Sequence, residues 1–284
     1  MNYLLFNELA DGGRGKENAI LAQKELNSFF PGLELTNIAK IDHLKFLGGL
    51  SKDDNVILFG GDGTLNHFVN AIGDAELPCK FYFYPSGTGN DFLNDVINCQ
   101  DKNTKLVPLN DFVKGLPYIE VKGKTYRFIN GIGYGIDGEC CVEAEKMKAN
   151  GEKDINYSKI TISLLFHSYK PRNAKVKVDG KEVSISKSYL ASAMNGRYYG
   201  GGMKIAPNQV RGSGKLSLVV VHGKGKLGTF MMFPGLFKGN HIKRKRNVYV
   251  ATGKVIEVSF DSPCGLQIDG EVVEGVTSYK AYLK

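Results

Sequence analysis

Residues 56–68, VILFGGDGTLNHF, restrict the architecture of this chain more tightly than any other stretch. An apolar run stops at Gly60-Gly61-Asp62-Gly63-Thr64, and apolar periodicity resumes at Leu65. A buried strand that passes through bare glycines into a helix sets several backbone N–H groups at the positive end of a helix dipole, which favours phosphate. The glycines admit close approach, Thr64 can cap the helix or meet a phosphate oxygen, and Asp62 can hold Mg²⁺ directly or through water. A plain strand-to-helix turn capped by Asp62 and Thr64 would use the same residues. The two common nucleotide signatures fail. ADGGRGKE has Ala10 where Walker A needs a glycine and Glu17 after the lysine, and Asn66 occupies the third-glycine position of a dinucleotide fingerprint begun at Gly61.

The surroundings agree with a strand–helix alternation. NYLLFN (2–7), LELTNI (33–38), NVILFGG and KFYFYP read as strands, separated by helical stretches over 18–30, up to Leu47, and TLNHFVNAI. This predicts a parallel, Rossmann-like α/β sheet with its loops at the carboxyl ends of the strands. Short strand-like pieces, YIEV and YRFING, follow, then a helical stretch from Cys141 and another expected to be capped by Asp154. Beyond Pro171 the chain becomes short strands with Asp-Gly turns, the pattern of an antiparallel sandwich or barrel. The expected division is an α/β domain over 1–123 and a β-rich domain with helices over 124–274, the tail of about 275–284 returning to the first.

A second loop repeats the design of the first. FYFYPSGTGNDF (81–92) is a strand, a proline, then Gly87-Thr88-Gly89-Asn90-Asp91. GGDGTLN followed by PSGTGNDF resembles the diacylglycerol kinase catalytic domain, shared by bacterial lipid kinases and by sphingosine and ceramide kinases. The likeness continues in family order through NGIGYGIDGE (130–139), NGRYYGGGMKIAPNQVRGSGKLSLVVV (195–221) and LQIDGE (266–271). It implies an ATP- and Mg²⁺-dependent lipid kinase, with diacylglycerol the default acceptor and phosphatidic acid the product. It also implies an active site in a cleft between the two domains. By matching positions, Asn7, Thr36, Gly60, Gly61, Gly63, Thr64, Leu65, Asn66, Gly87, Thr88, Asn90 and Asp91 would serve the nucleotide. Asp62 would organise Mg²⁺, Asp91 would help order the cleft, and Glu271 would be the general base beside Asp269. Phosphoryl transfer asks for such parts: phosphate positioning, charge stabilisation and a carboxylate near the attacking hydroxyl. Ser213 and Ser217 stand where acids are common in the family, so a second, structural Mg²⁺ is not expected.

QIDGEV is also a strong hairpin signal, and KVDGKE at 177–182 is the same turn with Lys181, not a glutamate, directly after the Asp-Gly. Spacing alone therefore does not make Glu271 catalytic. Net charge is +8 and the sequence pI is near 9.0, which suits anionic partners. GTFMMFPGLFKGNHIKRKRNVY (228–249) sets apolar bulk before a basic run. Lys243, Arg244, Lys245 and Arg246 fit an anionic membrane, or a solvated edge strand. The five cysteines contain no C-x-x-C, and the first residues lack a signal-peptide pattern, so the expected setting is cytoplasmic with peripheral membrane association. A homodimer is an admitted assembly. Two other readings use the same residues: an NAD kinase-like phosphotransferase, and a non-catalytic lipid- or nucleotide-binding protein on the kinase scaffold. No nucleic-acid-binding signature is present.

Overall fold

Apolar runs broken by glycine turns build a five-stranded sheet in the first part of the chain. A computed structural model describes residues 1–284 except Thr88, Gly89, Lys153, Lys224 and the side chain of Asp11. Strands β1 (Asn2–Phe6), β2 (Glu34–Asn37), β3 (Asn55–Gly60), β4 (Lys80–Pro85) and β5 (Val107–Pro108) lie in the order β2-β1-β3-β4-β5. All pair in parallel except β5, which runs antiparallel to β4. Helices α1 (Ala10–Gly13), α2 (Gly15–Leu26), α3 (His43–Gly48), α4 (Asp62–Ile72), α5 (Asp91–Val96) and α6 (Asn110–Lys114) fill the connections. Leu4, Leu5, Val56, Ile57 and Leu58 are fully buried, as expected for parallel strands covered on both faces. Ala19, Ala22 and Leu26 of α2 pack on Leu4, Phe6, Ile57 and Phe59, while Phe68 of α4 stacks on Phe81 of β4 at 5.7 Å.

The remainder is an antiparallel sheet of nine strands with helices beside it. β6 (Tyr118–Val121), β7 (Lys124–Arg127), β8 (Gly131–Tyr134), β9 (Arg172–Val178), β10 (Lys181–Met194), β11 (Leu216–His222), β12 (Val248–Gly253), β13 (Val255–Ile268) and β14 (Glu271–Tyr282) form it. The path is β12-β11-β10-β8-β13-β14-β6-β7, and β9 pairs with both β10 and β13. The two long strands β10 and β13 each shift register between their pairing with β9 and with β8. Such breaks let one strand serve two sheet segments, folding the sheet over its own core. That core includes Ile119, Val176, Ile256, Leu266 and Tyr134, the last stacked on Phe260 at 4.1 Å. Helices α7 (Ile136–Ala149), α8 (Tyr157–His167), α9 (Lys226–Phe230) and α10 (Phe233–Lys238) complete the unit.

Several local expectations shift. KEVSIS and SYLASAM form one strand, β10, because β9 and β11 pair along successive halves of it. Helix α7 starts five residues before Cys141, at Ile136. Asn156, not Asp154, caps α8 by accepting from the Lys159 N–H at 2.9 Å. The chain divides into Met1–Leu116 and Pro117–Lys284, earlier than residue 123, because β6 pairs with β14. The same pairing keeps residues 275–284 in the second unit.

Candidate active site

The parallel sheet decides where the first unit can hold a ligand. Chain order reverses at β1, which has β2 on one side and β3 on the other. Ligands of open α/β sheets collect at the carboxyl ends of the strands beside such a switch. Register aligns those ends: Thr36 lies opposite Leu5, Phe59 opposite Phe6, and Gly60 opposite Pro85. Asn7 follows β1 directly. Its Oδ1 accepts from the Leu9 N–H at 3.0 Å, and a Cβ on Gly15 would meet its carbonyl oxygen, so only glycine fits where α2 begins.

The two glycine loops are joined by named bonds. The Ser86 N–H donates to the Gly60 carbonyl at 2.8 Å. Asp62 Oδ2 accepts from the Asp91 N–H at 2.7 Å, and Oδ1 accepts from the Phe92 N–H at 3.1 Å. The carboxylate assigned to Mg²⁺ therefore also caps α5, and it fixes one loop against the other. Asp91 itself is buried.

The glycines of the first loop have different reasons to be there. A Cβ at Gly60 would sit 2.5 Å from Thr64 Oγ1, and one at Gly61 would sit 3.1 Å from the Ser86 carbonyl oxygen. At Gly63, inside α4, a Cβ would meet nothing within 4 Å. Neither packing nor φ requires glycine at 63, and the open space beside it suits a phosphate. Helix α4 opens on Gly61, which has no side chain to cap it. Thr64, Leu65 and Asn66 are buried, Asn66 accepting from Asn70 Nδ2 at 3.3 Å, so Leu65 can offer a ligand only its backbone. In the second loop Gly87 takes φ 106°, a conformation that favours glycine. Asn90 donates to the Gly87 carbonyl at 3.1 Å and keeps a buried Oδ1 with no partner among the described residues. Thr88 lies outside the described residues.

In the second unit, Asp269-Gly270 forms the tight turn from β13 to β14, with φ 49° and 97°. The Asp269 carboxylate accepts backbone N–H groups of Ile129, Asn130 (2.8 Å) and Gly131 (2.9 Å). It is a clamp on the 129–131 segment, while Glu271, the next acid after the turn, is exposed. The matching turn at Asp179-Gly180 works alike: Asp179 accepts from the N–H groups of Lys254 and Val255, both at 2.9 Å. Around 129–131 a polar cluster assembles. Arg211 donates to the Ile129 carbonyl and to Asn130 Oδ1 (3.0 Å), and Asn195 Nδ2 donates to the Ile129 carbonyl at 2.9 Å. Gln209 reaches the Lys215 carbonyl at 2.8 Å and accepts from Ser217 Oγ at 2.6 Å. No local pattern marks Asn130, Asn195, Gln209 and Arg211 for this cluster, because their partners lie up to 82 positions away.

Residues 2–113 match the diacylglycerol kinase catalytic domain, and residues 130–280 match the YegS C-terminal NAD kinase beta sandwich-like domain. The chain belongs to the diacylglycerol kinase catalytic-domain family. The diacylglycerol kinase of Mycobacterium tuberculosis (strain ATCC 25618 / H37Rv) is 24% identical over 67% of this chain and 62% of its own length. The chain thus spans under two thirds of that relative. A probable lipid kinase YegS-like of Pectobacterium atrosepticum is 28% identical over 78% of this chain and 72% of its own. A solved putative diacylglycerol kinase from Bacillus anthracis str. Sterne has the same fold, with TM-score 0.68 and 21% identity. It covers 99% of this chain and 93% of its own.

For a chain of this family, the donor set bears on Mg²⁺. Among the described residues no three His, Cys, Asp or Glu gather around a point. The single Asp62 carboxylate fits Mg²⁺ carried on a nucleotide's phosphates, which needs only one or two protein carboxylates. At the two positions where the resemblance sets acids, Ser217 is buried and donates to Gln209 Oε1 at 2.6 Å, and Ser213 is exposed, so neither supplies a carboxylate.

The second unit also holds a half-open apolar cavity of about 60 Å³. Ile136, Leu165, Leu190, Ile205 and Met232 line it, with one carboxylate, Asp137. Gln267 Nε2 donates to Asp137 Oδ2 at 3.0 Å, and a Cβ on Gly133 would overlap that oxygen. Burial pushes the Asp137 carboxyl up to about 6, against hydrogen bonds from Gln267 and Tyr199 that lower it. Composition and spacing gave no signal for Asp137, which sits inside a glycine-rich motif.

Proposed function

We propose that the chain is a lipid kinase that transfers the terminal phosphoryl group of ATP to a membrane-lipid hydroxyl, diacylglycerol being the default acceptor. The observation that carries this reading is the pair of hydrogen bonds that Asp62 accepts from the first N–H groups of α5, which joins two phosphate-suited loops at the carboxyl edge of a parallel sheet. The acceptor class comes from the names of the relatives, a diacylglycerol kinase and a probable lipid kinase.

In this reading the N-terminus of α4 and the space beside Gly63 receive the phosphates. Asp62 holds Mg²⁺, which when bound neutralises charge on the phosphate oxygens. Glu271 takes the proton of the acceptor hydroxyl as its oxygen bonds to phosphorus, the phosphorus–oxygen bond to ADP breaking in the same transfer. Asp269 acts through Glu271 by fixing the turn that presents it. The cavity around Asp137 takes hydrocarbon of the acceptor.

The test is incubation with labelled ATP and Mg²⁺ in parallel with diacylglycerol, extracted membrane lipids and NAD. Label in phosphatidic acid supports the reading; label in NADP alone, or in no product, overturns it. Glu271→Gln should then lower kcat by about a hundredfold or more while leaving nucleotide affinity unchanged. Equal losses in kcat and nucleotide affinity would remove Glu271 from the proton transfer.

A further inference from the structure

The positive charge of this chain is concentrated in one stretch. Residues 183–256 contain thirteen Lys and Arg and no Asp or Glu, while the rest holds 24 Lys and Arg against 29 Asp and Glu. The whole excess of +8 thus arises there, and the remainder is net negative.

The same stretch, together with the end of α8, exposes apolar side chains. Of the nine large apolar residues exposed among the described residues of the second unit, five are Phe166 near the end of α8, Leu227 and Phe230 on α9, Met231 directly after it, and Phe237 on α10. Leu227 and Met231 are 66% and 64% exposed. The Phe166 and Phe230 rings meet edge to face at 5.5 Å, and Lys226 Nζ donates to the Phe166 carbonyl at 2.9 Å, so α9 is tied to α8. On the other side of the same helices, Thr229, Met232, Phe233 and Leu236 line the cavity of Asp137. The α9–α10 segment is therefore apolar on both faces, a pattern that water does not favour on either. Lys238 and Lys243, Arg244, Lys245 and Arg246 follow directly, all exposed and in no ion pair among the described residues.

We propose that α9 and α10, with the end of α8, dock on an anionic bilayer: Leu227, Phe230, Met231 and Phe237 enter the interfacial zone, and Lys238 and Lys243–Arg246 meet the headgroups. Charge complementarity selects this occupant, since an apolar face beside uncompensated cations matches a surface with hydrocarbon beneath anionic heads. The proposal rests on the lipid-kinase reading, in which the acceptor is met in a membrane. It adds that the lid of the cavity and the docking face are the same two helices.

Co-sedimentation of the full chain with phosphatidylcholine vesicles, with and without phosphatidylglycerol and without nucleotide, tests it. Binding should be stronger to the anionic vesicles and weaken with salt. Replacing Lys243, Arg244, Lys245 and Arg246 by Ser should lower anionic-vesicle binding by about tenfold or more and flatten the salt dependence. Leu227→Ser/Met231→Ser/Phe237→Ser, all at exposed positions, should lower binding to both vesicle types by about tenfold with the melting temperature kept. Unchanged binding in both variants overturns the proposal. So does a wild-type dimer that the triple variant converts to monomer without loss of vesicle binding, since the face is then a contact between copies. Turnover of a short-chain, water-dispersed diacylglycerol separates the two ideas. Its absence with vesicle binding intact sinks the kinase reading alone, and its presence with no vesicle binding sinks the docking face alone.

Discussion

Gly63→Ala should move stability and nucleotide binding in opposite directions. Gly63 lies in the first turn of the eleven-residue helix α4, and a Cβ there meets no atom within 4 Å. The substitution therefore causes no clash. In a helix interior alanine is favoured over glycine by about 0.8–1 kcal/mol. At this terminal position about 0.5 kcal/mol is expected, a rise in Tm of roughly 1–3 °C for a unit of this size. If a phosphate packs against the exposed backbone at 63, the new methyl occupies its space, and losing that approach should weaken nucleotide affinity by tenfold or more, about 1.4 kcal/mol. Differential scanning calorimetry and titration calorimetry with ATP and Mg²⁺ read the two effects on one sample. Wild-type affinity in the alanine variant would refute the idea that the phosphates approach at Gly63. A fall in Tm would refute the description of this turn as unstrained helix.

Asp62 separates in a similar way. Asp62→Ala removes the acceptor of two backbone N–H groups of α5 and should cost about 2 kcal/mol, whereas Asp62→Asn keeps one of them and should cost about half. Both should abolish turnover, so thermal melts that do not rank the variants this way contradict the cap, and turnover in Asp62→Asn contradicts the phosphate and metal role. Asp137 predicts a pH signature. Its folded pKa of about 6 lies above its unfolded value, so it contributes stability that is complete below about pH 4 and is lost as pH rises through 6. The change is on the order of 3 kcal/mol, and Asp137→Asn should remove it in urea melts compared from pH 4 to 8. Parallel curves for the two proteins would show that the carboxyl is not shifted.

Much of the fold was legible because it is local. The strands of the first unit are apolar runs ended by glycine or proline, and both Asp-Gly turns adopt the positive φ values that their residues favour. The two glycine loops announced themselves by composition, and the Asp-Gly-Glu turn by family likeness. Segment ends were less legible. Helix α7 begins within a glycine motif, and β10 continues through a stretch that reads as two strands, because neighbouring strands pair along both halves.

By itself, then, the order of residues determined the strand–helix alternation, the phosphate-suited turns and the concentration of positive charge in one stretch. Tertiary structure alone decided what each carboxylate touches. Asp62 and the Phe92 N–H stand 30 positions apart, and Asp269 and the Ile129 N–H stand 140 apart. No local pattern encodes such pairs: the residue types permit many partners, and chain folding selects among them by bringing particular backbone donors within reach.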